Sequence, residues 1–159
     1  TCMRTQRQLL DGVSYHVSAR VNRGEQYLCM PYARDLFLDT LEECRLRFGF
    51  VLDACALRDD LVELIISPLH GADLPAIMRW MLGTFGSRFN RRFAVKGHVW
   101  ADRYRSTPLT TLSDYLTLRA RISKAPLYAR IAASEWQWAS GTLHRTQIRK
   151  PSHCQTPRV

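Results

Sequence analysis

The chain reads as an α+β domain: an antiparallel β-sheet carrying its helices on one face, in the order strand, helix, strand, strand, helix, strand, with a further helix and a tail at the C-terminal end. Three observations predict this. Residues 15–21 alternate with the period of a strand. Two longer stretches, residues 32–48 and the segment after Asp73, repeat their apolar positions with helical spacing. Between them, two apolar runs are joined by a short polar turn, which is a hairpin midway between the helices.

Taken in order, residues 15–21 (Tyr15, His16, Val17, Ser18, Ala19, Arg20, Val21) place apolar side chains at every second position, and Asn22-Arg23-Gly24-Glu25 then reads as a turn or loop. In the first helix Phe37, Leu41, Cys44 and Phe48 fall on one face, with Gly49 as the C-cap. Residues 50–57 and 61–67 form the hairpin around Arg58-Asp59-Asp60. Asp73 caps the second helix, whose stripe is Leu74, Ile77, Met78, Met81, Leu82, Phe85 and Phe89. Residues 97–107 read as the fourth strand. Ser113 caps a third helix that runs to Lys124 and stops before Pro126. This order is the ferredoxin-like split βαββαβ arrangement, with the third helix added to it. The expected division is one domain over residues 1–140 and a flexible basic tail over 141–159.

Composition narrows the function. The 159 residues carry a net charge of +9, and 20 of the 23 basic residues are arginines. The charge is uneven along the chain. Residues 1–77 hold 8 basic and 11 acidic side chains, a balance of −3, whereas residues 78–159 hold 15 and 3, a balance of +12. Arginine offers a planar fork of donors that matches phosphate oxygens and stacks on bases, so a basic second half points to nucleic acid as partner. No apolar run is long enough for a membrane span and there is no signal-peptide pattern, so a cytoplasmic protein with no membrane partner is expected. The five cysteines, at 2, 29, 44, 55 and 154, include no CxxC pair; Cys44 and Cys55 sit among apolar neighbours and read as buried, and no zinc signature is present.

Several blocks of residues are similar, in the same order, to one known family. Arg7-Gln8-Leu9-Leu10, Gly12, residues 15–20 and Asn22-Arg23-Gly24 resemble the opening of REP-associated tyrosine transposases, members of the single-tyrosine (HUH) group. Phe89-Asn90-Arg91-Arg92, Gly97-His98-Val99-Trp100 and Arg103-Tyr104-Arg105-Ser106 resemble the stretch after that family's second helix. Ala125-Pro126-Leu127-Tyr128-Ala129 and Trp136-Gln137-Trp138-Ala139-Ser140 are similar to its closing segments.

The resemblance implies a metal-dependent chemistry. In the family, two histidines separated by one residue share a strand face and, with a polar ligand from the last helix, hold a divalent metal. A tyrosine on that helix attacks the phosphate polarised by the metal. At the matching positions this chain has Leu61 and Glu63 for the two histidines, Arg121 for the nucleophile and Ala125 for the remaining ligand. Leucine and alanine hold no metal ion, and arginine brings a positive charge instead of a ligand or a nucleophile. No catalytic residue, metal site or cofactor is therefore expected. A rebuilt site would have to draw on Asp59, Asp60 and Glu63 as hard oxygen ligands and on Tyr104, Tyr115 or Tyr128 as phenols. Against it, Asp59-Asp60 suits a hairpin turn, Tyr115 suits the inner face of its helix with Leu118 and Ile122, and Glu63 opposite Arg121 suits an ion pair. His16 reads as a packed or hydrogen-bonded histidine, His98 as a phosphate contact or a surface residue, and Trp136 and Trp138 as packing residues.

The expected function is binding of single-stranded or hairpin DNA, without cleavage, by a relative of the transposases that has lost its catalytic motifs. The candidate contacts are Arg88, Arg91, Arg92, Lys96, His98, Arg103, Arg105 and Arg121. The alternatives are an active transposase with an atypical site and a regulatory protein-interaction factor.

Overall fold

The computed structural model describes residues 12–69 and 71–124 and, for the backbone, 130–132, 137–139 and 142–144. Strand β1 (Ser14–Arg20) leads through two short 3-10 turns, Asn22–Gly24 and Tyr27–Cys29, into helix α1 (Pro31–Phe48). Strands β2 (Phe50–Leu57) and β3 (Leu61–Pro68) follow as the hairpin, then helix α2 (Leu74–Phe93), strand β4 (Arg105–Leu109) and helix α3 (Leu112–Ser123). Three short strands, β5 (Arg130–Ala132), β6 (Gln137–Ala139) and β7 (Thr142–His144), end the described chain. The main sheet has the order β4-β1-β3-β2-β5, every pair antiparallel, and β6 pairs with β7 separately. The first four of those strands with α1 and α2 give the split βαββαβ order expected from the sequence.

Alternation decides what each sheet face presents. In β1, Tyr15, Val17 and Ala19 point to the layer of α1 and α2, and Ser14, His16, Ser18 and Arg20 point away. In β3, Val62, Leu64 and Ile66 join the same core, while Glu63 and Ile65 face the opposite side. The seven stripe residues of α2 are all buried, packed against Phe37, Leu41 and Cys44 of α1. Gly49 caps α1 at φ +68°, a conformation that costs glycine no Cβ clash, and the Asp73 carboxylate accepts from the Ala76 N–H at the start of α2. Helix α3 does not share the layer of α1 and α2. Its Tyr115, Leu118 and Ile122 pack with Ala54, Ala56, Ile65 and Leu109 on the second face of the sheet.

Two expectations are corrected. Residues 97–107 do not form one strand. Gly97 is at φ +102°, and the neighbours Val99 and Trp100 both pack on the core beneath α2, which breaks the two-residue period. Trp100 keeps a single antiparallel bridge to Val21, and the regular ladder begins at Arg105. The third helix is capped by Thr111, whose hydroxyl accepts from Asp114 N–H at 3.1 Å, and Ser113 lies inside its first turn. Cys44 and Cys55 are free and buried, and burial pushes both thiols up to about 12. Cys29, to which the sequence assigned no chemistry, is disulfide-bonded. Ala125, Pro126, Tyr128 and Trp136 lie outside the described residues, as does the side chain of Trp138.

Candidate functional site

The second face of the sheet, where α3 crosses it, gathers the charged side chains. Glu63 projects from the middle of β3, 3% exposed. Across the β1–β3 ladder it lies opposite Ser18, and His16 sits one pleat along on the same face. The His16 ring donates from Nε2 to Glu63 Oε1 at 3.2 Å, and Arg121 of α3 donates to the same oxygen at 2.7 Å. Arg58 brings its Nε to 3.4 Å from Glu63 Oε2, too poorly aligned to count as a hydrogen bond. These contacts set the ionisation of the carboxyl. The hydrogen bond from His16, then the charge and hydrogen bond of Arg121 and the charge of Arg58, outweigh burial and hold Glu63 at about 2. Glu63 is thus a carboxylate at any ordinary pH.

Next to this cluster a polar row of two serines and Asp53 runs along the face. Ser14 and Ser67 hydroxyls meet at 2.7 Å, and Ser67 donates to Asp53 at 2.9 Å, where β2 shifts register between Leu52 and Ala54. The turn acids are taken as well: Asp60 accepts from Arg20 at 2.8 Å, and Asp59 lies 3.5 Å from the buried Arg34, whose Nε donates to Leu28 O at 2.6 Å. Asp59, Asp60 and Glu63 therefore each face a guanidinium and do not converge on one point. No group of three histidine, cysteine or acidic side chains stands together among the described residues. The donors present do not fit a divalent metal: the one buried carboxylate among the described residues has two guanidiniums beside it, and Leu61 offers no ligand atom. Of the tyrosines, Tyr115 packs beneath α3 and Tyr104 against the α1–α2 core.

The basic residues singled out in the sequence do not form one surface. Arg88 lies against α1, donating to Glu43 at 2.7 Å and Thr40 at 3.3 Å. Arg92 stacks its guanidinium over Tyr32, 4.8 Å from the ring centre. Arg91 is exposed on the same helix. Lys96 and His98 belong to the loop that follows, and there the structure does bring residues together. Asn90 donates to Gly97 O at 2.9 Å, Asn22 donates to His98 O at 3.2 Å, and Trp100 Nε1 donates to Leu82 O at 2.9 Å. With the loop pinned, Lys96, His98 and Arg23 line an open cleft of about 280 Å³. Arg103 is exposed further along, and Arg105 lies on the second sheet face, in register with Ser18 and so in the same row as Glu63. Arg121 is 53% exposed and stands over Glu63 from α3.

Sequence reasoning missed Arg58 and Arg23. Arg58 was legible once the hairpin register is known. Leu57 pairs with Val62 on the core side, so Arg58 must share the other face with Glu63, diagonally across the ladder. Arg23 stands in a block that resembles the family, but nothing in the sequence ties it to Lys96 and His98, because its position depends on how the first turn meets the loop after α2.

Residues 10–120 match the family described as Transposase IS200 like. Leu61 and Glu63 fall inside the match, and Arg121 begins just beyond it. No curated protein matches the chain in sequence. Among solved structures the fold is similar to a REP-associated tyrosine transposase bound to a REP hairpin, with 15% identity, 72% of this chain and 67% of that chain covered, and a TM-score of 0.61. It is also similar to a protein of Deinococcus radiodurans R1 assigned as a transposase, with 18% identity, coverage of 76% and 96%, and a TM-score of 0.55. At such identities the likeness is one of fold.

Proposed function

Since the chain belongs to the IS200-like transposase family, we propose that it is a DNA-binding member that holds single-stranded or hairpin DNA without cleaving it. The observation that carries the proposal is the pairing of Glu63 with Arg121 at 2.7 Å. The resemblance puts a metal ligand and the attacking tyrosine at these two positions, and here they neutralise each other. A carboxylate flanked by two guanidiniums already has its charge neutralised and sits where a divalent cation would be repelled, and a guanidinium is no nucleophile. What remains is a set of exposed basic side chains at several places on the scaffold. Lys96, His98, Arg103 and Arg105, with Arg91 and Arg121, are the proposed contacts to phosphates. Arg88 and Arg92 contribute to the packing of α1 against α2. The DNA-bound form of the REP-associated transposase supports DNA as the partner.

Two measurements on one labelled single-stranded DNA hairpin test this. Fluorescence anisotropy is expected to show binding that weakens steeply with salt, because neutralising phosphates releases counterions. Incubation with Mg²⁺ or Mn²⁺ followed by a denaturing gel is expected to show free DNA only. A covalent protein–DNA band overturns the non-cleaving reading. Absence of salt-sensitive binding overturns the DNA reading itself and favours a protein-interaction role.

A further inference from the structure

Neutralising one buried carboxylate takes one cation, and Glu63 has two arginines as well as His16. The second guanidinium is in excess. Both arginines are open to solvent, Arg58 at 42% and Arg121 at 53% of their side chains, although the carboxylate between them is buried at 4%. Their donors are also largely unspent. A guanidinium has five N–H groups; Arg121 places one hydrogen bond on Glu63, and the buried Arg58 Nε makes none. Glu63 thus works as a fixed post that holds two arms from different elements, the β2–β3 turn and α3, at one spot on the sheet face. The field around it is positive. Arg105 lies in the same cross-strand row, one strand beyond Ser18, about 10 Å from Glu63 at the usual strand spacing, and the nearby Asp60 is matched by Arg20.

We infer that Arg58 and Arg121, organised by Glu63, form an oxyanion clamp that binds a backbone phosphate of single-stranded DNA on the second sheet face. Planar guanidinium forks match the two free oxygens of a phosphodiester, and a carboxylate that hydrogen-bonds one fork and draws the other in by charge reduces the side-chain entropy that a free arginine loses on binding. Glu63 is a positioning residue here, and the two arginines are the contacts. The inference rests on the DNA-binding reading for the source of the phosphate, but the chemistry it requires is only that of a phosphate oxyanion.

The test uses a variant that keeps the charge balance. The double change Glu63→Gln/Arg121→Gln removes one positive and one negative charge, so the net charge stays at +9 and no buried charge loses its partner. Arg58→Gln leaves the Glu63–Arg121 pair whole. Thermal melting establishes that both variants are folded. Binding of a fluorescein-labelled single-stranded hairpin is expected to weaken about tenfold in the double variant, the size of a lost charged hydrogen bond, with the salt slope shallower by about 0.7. Arg58→Gln is expected to shift both in the same direction. If wild type binds the hairpin and both variants bind it with unchanged affinity and slope, the clamp is wrong and the DNA-binding reading stands. If wild type does not bind the hairpin, the DNA reading fails and inorganic phosphate decides the clamp, by broadening of its ³¹P resonance. Broadening by wild type that both variants lose keeps the oxyanion site with free phosphate as its occupant. No broadening by wild type overturns it.

Discussion

Glu63 and Arg121 are 58 residues apart in the chain, yet the guanidinium of Arg121 donates to the Glu63 carboxylate at 2.7 Å. One partner is buried and the other is half exposed, so the pair is asymmetric. Losing Arg121 takes from the buried carboxylate its one hydrogen-bonded guanidinium, while losing Glu63 leaves an arginine that water can solvate.

This asymmetry predicts the outcome of a double-mutant cycle in urea with Glu63→Gln and Arg121→Gln. Breaking a fully buried pair costs several kcal/mol, but Arg121 is 53% exposed, so solvent screening reduces the coupling to about 1–2 kcal/mol. Arg121→Gln should destabilise more in the presence of Glu63 than in the Glu63→Gln background. Strict additivity of the two changes would mean that the side chains do not interact in solution.

Acid should expose the same site. The Glu63 carboxyl lies at about 2 in the folded protein, below its usual 4.5. A depressed carboxyl contributes stability above its unfolded pKa and loses it as pH falls through the folded one. The contribution of Glu63, at most about 3 kcal/mol, is therefore complete above about pH 4.5 and lost between there and about pH 2. Stability measured against pH should fall less steeply over that window in Glu63→Gln than in wild type. Identical acid limbs would show that the carboxylate is not held in this way.

The arginines should divide into structural and DNA-facing sets. Arg88→Ala frees Glu43 and Thr40 and is expected to lower the melting temperature while leaving hairpin affinity within about twofold, as a lost partly exposed ion pair would. Arg103→Ala/Arg105→Ala is expected to do the reverse, with the salt slope shallower by about 1.4 for two phosphate contacts. Arg45→Ala/Arg47→Ala is the control, since Arg45 is paired with Glu42 and Arg47 lies over Phe48 and Trp80. Equal salt slopes in all of these proteins would remove Arg103 and Arg105 from the DNA surface.

The cap of α3 offers a separate check. Thr111→Ala removes the acceptor for Asp114 N–H and should cost about 1 kcal/mol. Ser113→Ala, inside the first turn, should change stability by less than half of that. The opposite ranking in a thermal or urea titration would return the helix start to Ser113.

The sequence by itself determined the order of elements from β1 to α3, the buried stripe of α2, the Gly49 and Asp73 caps and the central hairpin, but not the short strands β5, β6 and β7. These follow from side-chain periodicity and local backbone preference, which act over a few residues and are visible in a linear pattern. It also placed Glu63 opposite Arg121, but only through a likeness to a family, since no spacing relates positions so far apart. The limits of β4 were not legible, because Val99 and Trp100 follow the packing beneath α2 and override the local alternation. Only the tertiary structure decided which charges share a surface. Arg58 comes to Glu63 through hairpin register, Arg121 because α3 crosses the second face, and Arg88 goes to Glu43 because α1 lies beside α2. Each of these meetings is fixed by the sheet pairing and core packing of the whole domain, so a run of arginines that looks continuous in the chain ends up on different sides of the fold.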